Sequence, residues 1–354
     1  MSKAPTIHDL AADLQISATT VWRALNGHDR ISEATRERVL ARAKAIKYVP
    51  SLVAQNLSHG RTQTLGVIVP MIGHPVFSSL IEKIEETAFA RGYSIILCDA
   101  RLDVDRETEY ARMLLRRRVE GVIVIPFAQR TGNWDAHLVE LQKRNVPVVL
   151  LEQDLPTIRF AKVVADNFQA AHDLTRHLIN LGHKRLAFAF HPVHDWDPVG
   201  RERLAGFDRA VADAGLSKQA RHLLDVFAFA GEKVWRYQPE QLIACFRSRD
   251  RPTALFAGMD MLAIHALETL RELGLRVPKD VAVAGFDNLE FSNFTQPPLT
   301  TVQQPTVEMG QRAAEILFEL IAKKGTRKKI ISERLPCRLV IRQSCGSPQP
   351  SPSS

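Results

Sequence analysis

The sequence predicts an α/β protein in two parts: an N-terminal domain of three helices, and a larger region of two lobes, each with a parallel sheet. Three observations support this fold class. The chain has 354 residues, more than one ordinary hydrophobic core accommodates. The first 60 residues carry the start signals of three short helices. From about residue 64, short apolar runs alternate with amphipathic helical segments, a pattern typical of βαβ units.

The three N-terminal helices are predicted from their capping residues. Thr6 can cap the first helix, with Asp9 three residues later as its reciprocal partner. Ser17 can cap the second helix and Ser32 the third. Only residues 14–16 separate the first helix from the second cap. A join this short predicts a helix-turn-helix.

The exposed start of the second helix favours contact with DNA. It carries Ala18, Thr19 and Arg23, which are short or hydrogen-bonding side chains of the kind that fits base edges in the major groove. The first 60 residues hold eight Lys and Arg against five Asp and Glu, a modestly basic balance. A helical cap that does not bind DNA is the alternative, and these local signals alone leave it open.

The larger region contains two groups of strand-like runs separated by helical segments. The first group is 65–70, 93–99, 121–126 and 146–152, and the second is 186–190, a run near 223, 254–258 and 281–287. One of the intervening helices is predicted at about Val234–Arg247. Ligands of such folds bind beyond the carboxyl ends of the strands, so two facing lobes predict a cleft.

Charged residues stand where this cleft is expected. Glu152 and Asp287 end strand-like runs, and Arg203 lies near the start of a helix. Carboxylates and guanidinium groups at such ends can hold sugar hydroxyls through charge-assisted hydrogen bonds. Each residue taken alone is more often a solvated surface charge.

Composition and motifs limit the classes of function that the chain can have. The net charge of +8 favours a polyanionic partner. The sequence has no apolar run long enough for a signal peptide or a membrane span, so we expect a cytoplasmic protein. The four cysteines lack metal-ligand spacing and are expected to be reduced thiols. No hydrolase, P-loop, zinc-protease or dinucleotide-binding motif occurs, so we expect no enzyme activity, no cofactor and no metal.

Residues 6–70 resemble, almost position for position, the head and hinge of the lactose/galactose-repressor (LacI/GalR) family. The segment reads TIHDLAADLQISATTVWRALNGHDRISEATRERVLARAKAIKYVPSLVAQNLSHGRTQTLGVIVP. The resemblance implies a helix-turn-helix DNA-binding domain at 1–61, with a hinge helix at about 49–58. It also implies an effector-binding and dimerisation domain at 62–346 with the periplasmic-binding-protein fold. The tail 347–354 is predicted to be disordered.

The resemblance further divides the effector domain between two lobes. Lobe one comprises 62–163 and 305–331, and lobe two comprises 164–304 and 332–346.

The resemblance implies DNA contacts for individual residues. Base-reading positions match Ala18, Thr19 and Arg23, and positions that contact phosphates or fix helix ends match Thr6, Ser17, Thr20 and Asn26. Leu57 matches a leucine wedged into the central base step, with Ala54 against the floor of the minor groove. Trp22 departs from the family's small hydroxyl residue, and it either donates to a phosphate or packs on the helix flank. Ser51 and Leu52 also depart, which puts one hinge phosphate contact in doubt.

The resemblance implies effector contacts as well. The matching positions are Met71, His74, Phe77, Glu152, Trp196, Arg203, Met259, Asp260, Asp287 and Gln304. Arg203 and Asp287 match the family's effector-binding pair. Met259 replaces a common asparagine, which removes an amide contact. Trp196 either stacks on a sugar or packs against its own loop.

The function implied is that of a homodimeric transcriptional regulator, more often a repressor than an activator. It would bind a pseudo-palindromic operator under the control of a small molecule, most simply a sugar or sugar derivative. A purine-responsive regulator with the ligand as co-repressor is the first alternative. A solute-binding protein is the second, and the DNA-binding head argues against it. The chain ends without leucine heptads, which favours a dimer over a tetramer.

Overall fold

The computed structural model describes residues 5–25, 30–48, 61–127, 135–155, 159–190, 197–230, 234–322 and 330–347. Its contacts divide the chain into two compact units, Met1–Thr62 and Gln63–Ser354, which we call the head and the sensor. The predicted hinge helix and most of the predicted disordered tail lie outside the described residues.

The head contains helices α1 (Ile7–Leu14), α2 (Ala18–Leu25) and α3 (Glu33–Ala45). The predicted capping box is present, because Thr6 Oγ1 accepts from Asp9 N at 3.3 Å and the Asp9 carboxylate accepts from Thr6 N at 2.8 Å. One small core holds the helices together, and its buried members are Leu10, Ala11, Val21, Ala24, Val39 and Ala43. The described part of the head is therefore the predicted helix-turn-helix.

The other two predicted caps of the head are also present. Ser17 Oγ accepts from Thr20 N at 3.0 Å, and Ser32 Oγ accepts from Thr35 N at 3.4 Å. Each cap satisfies an amide at the start of its helix that has no partner within the helix.

The first lobe of the sensor is built on a parallel sheet. In spatial order its strands are β13 (Ser332–Leu335), β5 (Ala161–Ala165), β4 (Val148–Leu151), β3 (Gly121–Val124), β1 (Thr64–Val69) and β2 (Ser94–Asp99). One face packs on α4 (Pro75–Phe89) and α11 (Thr306–Ala322), and the other packs on α5 (Val104–Arg116) and α6 (Ala136–Lys143). Helices on both faces explain why the central strands β3 and β4 are wholly apolar and buried, whereas the edge strand β13 is mostly polar.

The second lobe repeats this arrangement with a smaller parallel sheet. Its strands in spatial order are β11 (Ala282–Ala284), β10 (Ala254–Ala257), β6 (Leu186–Phe190) and β7 (Arg221–Asp225). Helices α7 (Asn167–Asn180) and α8 (Pro198–Asp213) cover one face, and α9 (Glu240–Arg247) and α10 (Asp260–Glu272) cover the other. Two βαβ lobes with parallel sheets confirm the predicted fold class.

The division between the lobes differs from the predicted one in detail. Ser332–Leu335 pairs in parallel with Ala161–Ala165, so both strands belong wholly to the first sheet. The prediction had placed 332–335, and the last two residues of 161–165, in lobe two. The last crossing of the chain from lobe one to lobe two therefore follows β13, and β14 (Arg338–Val340) then pairs antiparallel with β12 (Thr301–Gln303).

The helix predicted at Val234–Arg247 is wrong in its first half. Val234–Tyr237 forms strand β9, which pairs antiparallel with β8 (Phe227–Ala230), and α9 begins only at Glu240. The run Val-Trp-Arg-Tyr is β-branched and aromatic, which favours a strand once a partner strand is available. Pro239 then precedes the first residue of the helix.

Candidate functional site

The start of α2 presents the predicted base-reading residues. Thr19 and Arg23 are exposed and Ala18 is half-buried, while Val21 and Ala24 of the same helix face the core. The Ser17 and Thr20 hydroxyls lie 2.8 Å apart, so one of them donates to the other and one hydroxyl proton stays available. The outer face of α2 can therefore supply a hydroxyl donor and a guanidinium.

The remaining predicted DNA contacts differ in their geometry. The Thr6 hydroxyl donates to the Asp9 carboxylate at 2.7 Å, which commits its proton to the capping box. Thr6 thus fixes the helix end rather than donating to a phosphate. Trp22 is half-buried on α2. The predicted contacts Asn26, Ala54 and Leu57 lie outside the described residues.

In the sensor, a cavity of about 540 Å³ lies between the two lobes. It is lined by Pro70, Met71, Gly73, His74, Pro75, Phe77, Leu102, Phe127, Gln153, Asp197, Phe227, Met259, Met261, His265 and Phe291. This volume is typical of pockets that bind small molecules. Of the predicted effector residues, Met71, His74, Phe77 and Met259 belong to this lining, and Trp196 lies outside the described residues. The other predicted effector residues are buried and are not part of the lining: Glu152, Arg203, Asp260, Asp287 and Gln304.

Arg203 is the centre of a charged cluster beside this cavity. Its side chain is buried on α8, where Nε donates to Asn167 Oδ1 at 2.9 Å and Nη1 donates to the Gly258 carbonyl at 2.6 Å. The guanidinium lies 3.8 Å from the centre of the Phe286 ring, a cation–π contact. Its Nη2 is 3.7 Å from Asp287 Oδ1. The contacts with Asn167, Gly258 and Phe286 fix the orientation of the guanidinium. The distance to Asp287 is too long for a hydrogen bond.

Asp287 and Gln304 form the second part of the cluster. Gln304 Nε2 donates to Asp287 Oδ1 at 2.8 Å, and both side chains are buried. Asp287 follows β11 with a φ of 119°, a left-handed conformation that is costly for a residue with a side chain. Burial raises the pKa of Asp287 to about 6, while Arg203 opposes that shift.

Glu152 approaches the cluster from lobe one. It directly follows β4, is buried, and has a φ of 71°. Burial raises the pKa of Glu152 to about 8. The positive charge of Arg203 opposes this rise, and the negative charges of Asp287 and Asp197 add to it. Glu152 is therefore mostly protonated at neutral pH and offers an O–H donor. Strained backbone at the exits of β4 and β11 is typical of functional sites.

Several buried polar atoms around the cavity have no hydrogen-bond partner among the described residues. Two of them belong to lining residues, His74 Nδ1 and Gln153 Oε1, and the third is Gln304 Oε1 of the charged cluster. Burial and the nearby Arg203 lower the pKa of His74 to about 4, so the imidazole is neutral. A buried polar atom without a partner is costly, and a bound molecule would remove that cost.

Asp260 has a different role from the predicted one. Its carboxylate accepts hydrogen bonds from Leu289 N at 2.9 Å, Ser292 Oγ at 2.6 Å and Thr301 Oγ1 at 2.6 Å. The residue is fully buried and absent from the cavity lining. Asp260 therefore anchors the chain between β11 and β12, which also contains Phe291 of the lining.

Sequence reasoning missed part of the lining. Gln153 directly follows Glu152, and Asp197 directly follows Trp196, so each could have been found as the neighbour of a predicted residue. Phe127, Phe227 and His265 carry no local signal, because only the tertiary fold brings them to the cavity.

A helix-turn-helix head, together with a two-lobed sensor that contains a ligand-sized cavity, defines the class of ligand-controlled transcriptional regulators. Residues 6–51 match the family described as bacterial regulatory proteins, lacI family, and residues 175–345 match the periplasmic binding protein-like domain. The chain belongs to the LacI family of bacterial regulatory proteins, as its sequence resemblance implied.

Relatives and solved structures agree with this family. The chain is 32% identical to the HTH-type transcriptional repressor PurR of Photobacterium profundum, over 96% of this chain and 98% of the relative. It is 31% identical to catabolite control protein A of Priestia megaterium, over 96% and 98%. The lac repressor dimer bound to operator and the anti-inducer ONPF superposes with a TM-score of 0.83 at 28% identity, covering 97% of this chain and 99% of that one.

These matches are to regulators of transcription rather than to enzymes. Among the helices of the described residues, none combines the length and apolar character that crossing a bilayer requires.

Proposed function

We propose that this regulator binds a pseudo-palindromic operator as a homodimer, with α2 of each protomer in the major groove. The observation that supports this most is the outer face of α2, where Thr19 and Arg23 are exposed beside a capped helix start. Ala18, Thr19 and Arg23 would read base edges, while Ser17 and Thr20 would contact phosphates. Such a regulator would act on the chromosome in the cytoplasm and would repress its genes.

The operator proposal is tested with Arg23→Ala and with Arg38→Ala, an exposed arginine of α3, as the matched control. The operator is first selected from a pool of random duplexes. Loss of a bidentate base contact costs about 1–3 kcal/mol, so Arg23→Ala should weaken operator binding by about fivefold to 150-fold. Its binding to unrelated DNA should change far less. Equal losses on both DNAs would reject a base-reading role.

We also propose that a small molecule in the interlobe cavity controls operator affinity, and that it is a sugar or sugar derivative. Arg203, Asp287 and Glu152 meet beside the cavity with oriented charge and strained backbone, which is the chemistry that holds hydroxyl groups. A purine acting as co-repressor is the second candidate, favoured by the aromatic lining and by the PurR relatives.

Thermal unfolding against mono- and disaccharides, sugar acids, sugar phosphates and purines distinguishes these candidates. A ligand at 100 times its Kd should stabilise the sensor by about 2.7 kcal/mol. A response confined to purines would reject the sugar proposal. A compound that binds without changing operator affinity would reject control through the cavity.

A further inference from the structure

We propose that the ion pair between Arg334 and Glu202 holds the two lobes of the sensor in the arrangement described above, and that it thereby sets the operator affinity of the regulator. The effect on operator affinity rests on the proposed function, in which the sensor controls the head.

Arg334 and Glu202 belong to different lobes. Arg334 lies on β13 of lobe one, and Glu202 lies on α8 of lobe two. The guanidinium of Arg334 donates from Nη1 to Glu202 Oε2 and from Nη2 to Glu202 Oε1, both at 2.9 Å. Two parallel hydrogen bonds of this kind fix the angle between the two groups as well as their distance. The pair is therefore a directional contact between the lobes.

Two further carboxylates lie near the same guanidinium. Arg334 Nη1 is 3.9 Å from Asp166 Oδ1, and Arg334 Nη2 is 4.0 Å from Asp154 Oδ2. Asp154 also pairs with Lys162, whereas Asp166 caps α7 by accepting from Gln169 N at 3.2 Å. Arg334 thus attracts carboxylates at the point where β5 of lobe one leads into α7 of lobe two.

The chain connects this ion pair directly to the charged cluster beside the cavity. Glu202 immediately precedes Arg203 on α8. A helix moves as a rigid element, so a contact that holds Glu202 on lobe one also limits the movement of Arg203 relative to Glu152. Relative motion is the ordinary expectation for such lobes, and closure about a hinge is a common response to ligands. Arg334 and Glu202 are absent from the cavity lining, so they act as positioning residues.

Partial exposure limits the strength of the pair and makes it sensitive to salt. The side chains of Arg334 and Glu202 are 38% and 28% exposed. Ion pairs of this kind change an equilibrium by up to about fivefold, and dissolved salt screens them. A change of this size alters the proportions of two lobe arrangements without unfolding the sensor.

Distances between the lobes test the pair without any effector. Nitroxide labels are introduced as unnatural amino acids at Ile72 of lobe one and Gln238 of lobe two, which are both exposed. Ile72 lies between two lining residues, and the Gln238 N–H donates to the carbonyl of Val226, which precedes the lining residue Phe227. The labelled full-length protein is mixed with a large excess of unlabelled protein, so that distances within one protomer dominate. Pulsed electron paramagnetic resonance then measures the distance distribution.

We expect Arg334→Gln and Glu202→Gln each to lower the population at the wild-type distance, relative to other distances, by about twofold to fivefold. The double variant should show the same shift as either single variant, because all three lack the same interaction. Added salt should shift the wild type in the same direction, and the double variant less. The salt titration of the wild type needs no substitution, so it tests the pair even where a variant folds poorly.

An ion pair within lobe one provides the matched control. Arg312 donates to Glu333 from Nε at 2.9 Å and from Nη2 at 2.6 Å, and these side chains are 33% and 29% exposed. Arg312→Gln should therefore leave the distances between the lobes unchanged. Distances that are the same in the wild type, Arg334→Gln and Glu202→Gln would overturn the inference. So would an equal shift in Arg312→Gln, or a double variant whose shift is the sum of the two single shifts.

Operator binding separates this inference from the proposed function. The duplex selected from the random pool is titrated with the ligand-free wild type and with Arg334→Gln. Coupled equilibria shift together, so we expect the operator Kd to change by at least about twofold. A shift in distance with an unchanged operator Kd would contradict control by the sensor, while supporting the hold of the pair on the lobes. A changed operator Kd with unchanged distances would overturn the role of the pair and leave control by the sensor supported.

Discussion

At the scale of single residues, the groups whose burial or backbone conformation lowers the stability of the sensor lie in one cluster. Arg203, Asp287 and Glu152 are buried charged or ionisable groups, and two of them have left-handed backbone. Burial of such groups lowers stability unless partners compensate. The compensation here is incomplete, since Gln304 Oε1 lacks a donor among the described residues. This is the pattern expected of a site that a ligand completes.

The guanidinium of Arg203 should decide effector binding. Arg203→Ala should weaken effector binding by about a hundredfold, because hydrogen bonds to charged groups contribute about 1.5–3 kcal/mol each. Calorimetry with the compound that most stabilises the wild type measures this loss. Arg203→Lys keeps the charge without the planar fork and should lose affinity similarly while staying folded. Arg209→Ala, which removes an exposed arginine of the same helix, should bind normally. Normal binding by Arg203→Lys would contradict the assignment.

The raised pKa of Glu152 predicts a pH dependence of stability. Between its ordinary value of 4.5 and about 8, the folded protein holds a proton that the unfolded chain releases. The free energy of unfolding therefore falls as pH rises through this window, and the loss is complete above pH 8. From pH 6 to 8.5, the Tm of the wild type should fall several degrees more than that of Glu152→Gln. His74 contributes an opposite slope at the lower end of this range, because it titrates at 6.5 in the unfolded chain and at about 4 in the folded protein, but both proteins contain it and the comparison cancels its contribution.

An exposed carboxylate serves as the control for this measurement. Glu109→Gln on α5 should follow the wild-type profile. Parallel profiles for the wild type and Glu152→Gln would show that Glu152 ionises normally, and the account of the cluster would be wrong.

At the scale of helices and strands, the sequence predicts best where the signal is local. The caps at Thr6, Ser17 and Ser32 follow from neighbouring residues and are present. The buried strands were visible as apolar runs. The helix predicted over Val234–Tyr237 is wrong, because these residues form a strand that depends on pairing with an earlier segment of the chain. The family resemblance suggested Arg203 and Asp287, whereas the anchoring role of Asp260 required the contacts between β11 and β12.

The close packing of α7 on α8 provides a prediction at this scale. A Cβ on Gly206 would lie 2.2 Å from the Phe168 carbonyl oxygen and 2.9 Å from His172 N. Backbone atoms cannot yield to it, so Gly206→Ala should destabilise the sensor by about 1–3 kcal/mol. Thermal unfolding should show a lower Tm than for Gly73→Ala, whose Cβ meets nothing within 4 Å. Equal Tm values for both variants would contradict the packing.

At the scale of the whole molecule, one chain combines a DNA-binding head with a sensor domain. The LacI family membership establishes a DNA-binding regulator with a sensor, and the proposal adds which residues read DNA and which hold the effector. Coupling between two binding events is reciprocal, so operator DNA must change effector affinity by the same factor as effector changes operator affinity. Under the proposed function, the cavity and the outer face of α2 are therefore parts of a single equilibrium.

Operator affinity, measured with and without saturating effector in the wild type and in Arg203→Lys, tests the central claim most directly. We expect effector to change the wild-type operator Kd by at least about fivefold, a typical allosteric coupling. Arg203→Lys should retain the ligand-free operator affinity and lose the response to effector. A wild-type operator Kd that does not change when the cavity is saturated would contradict control of operator binding through the cavity.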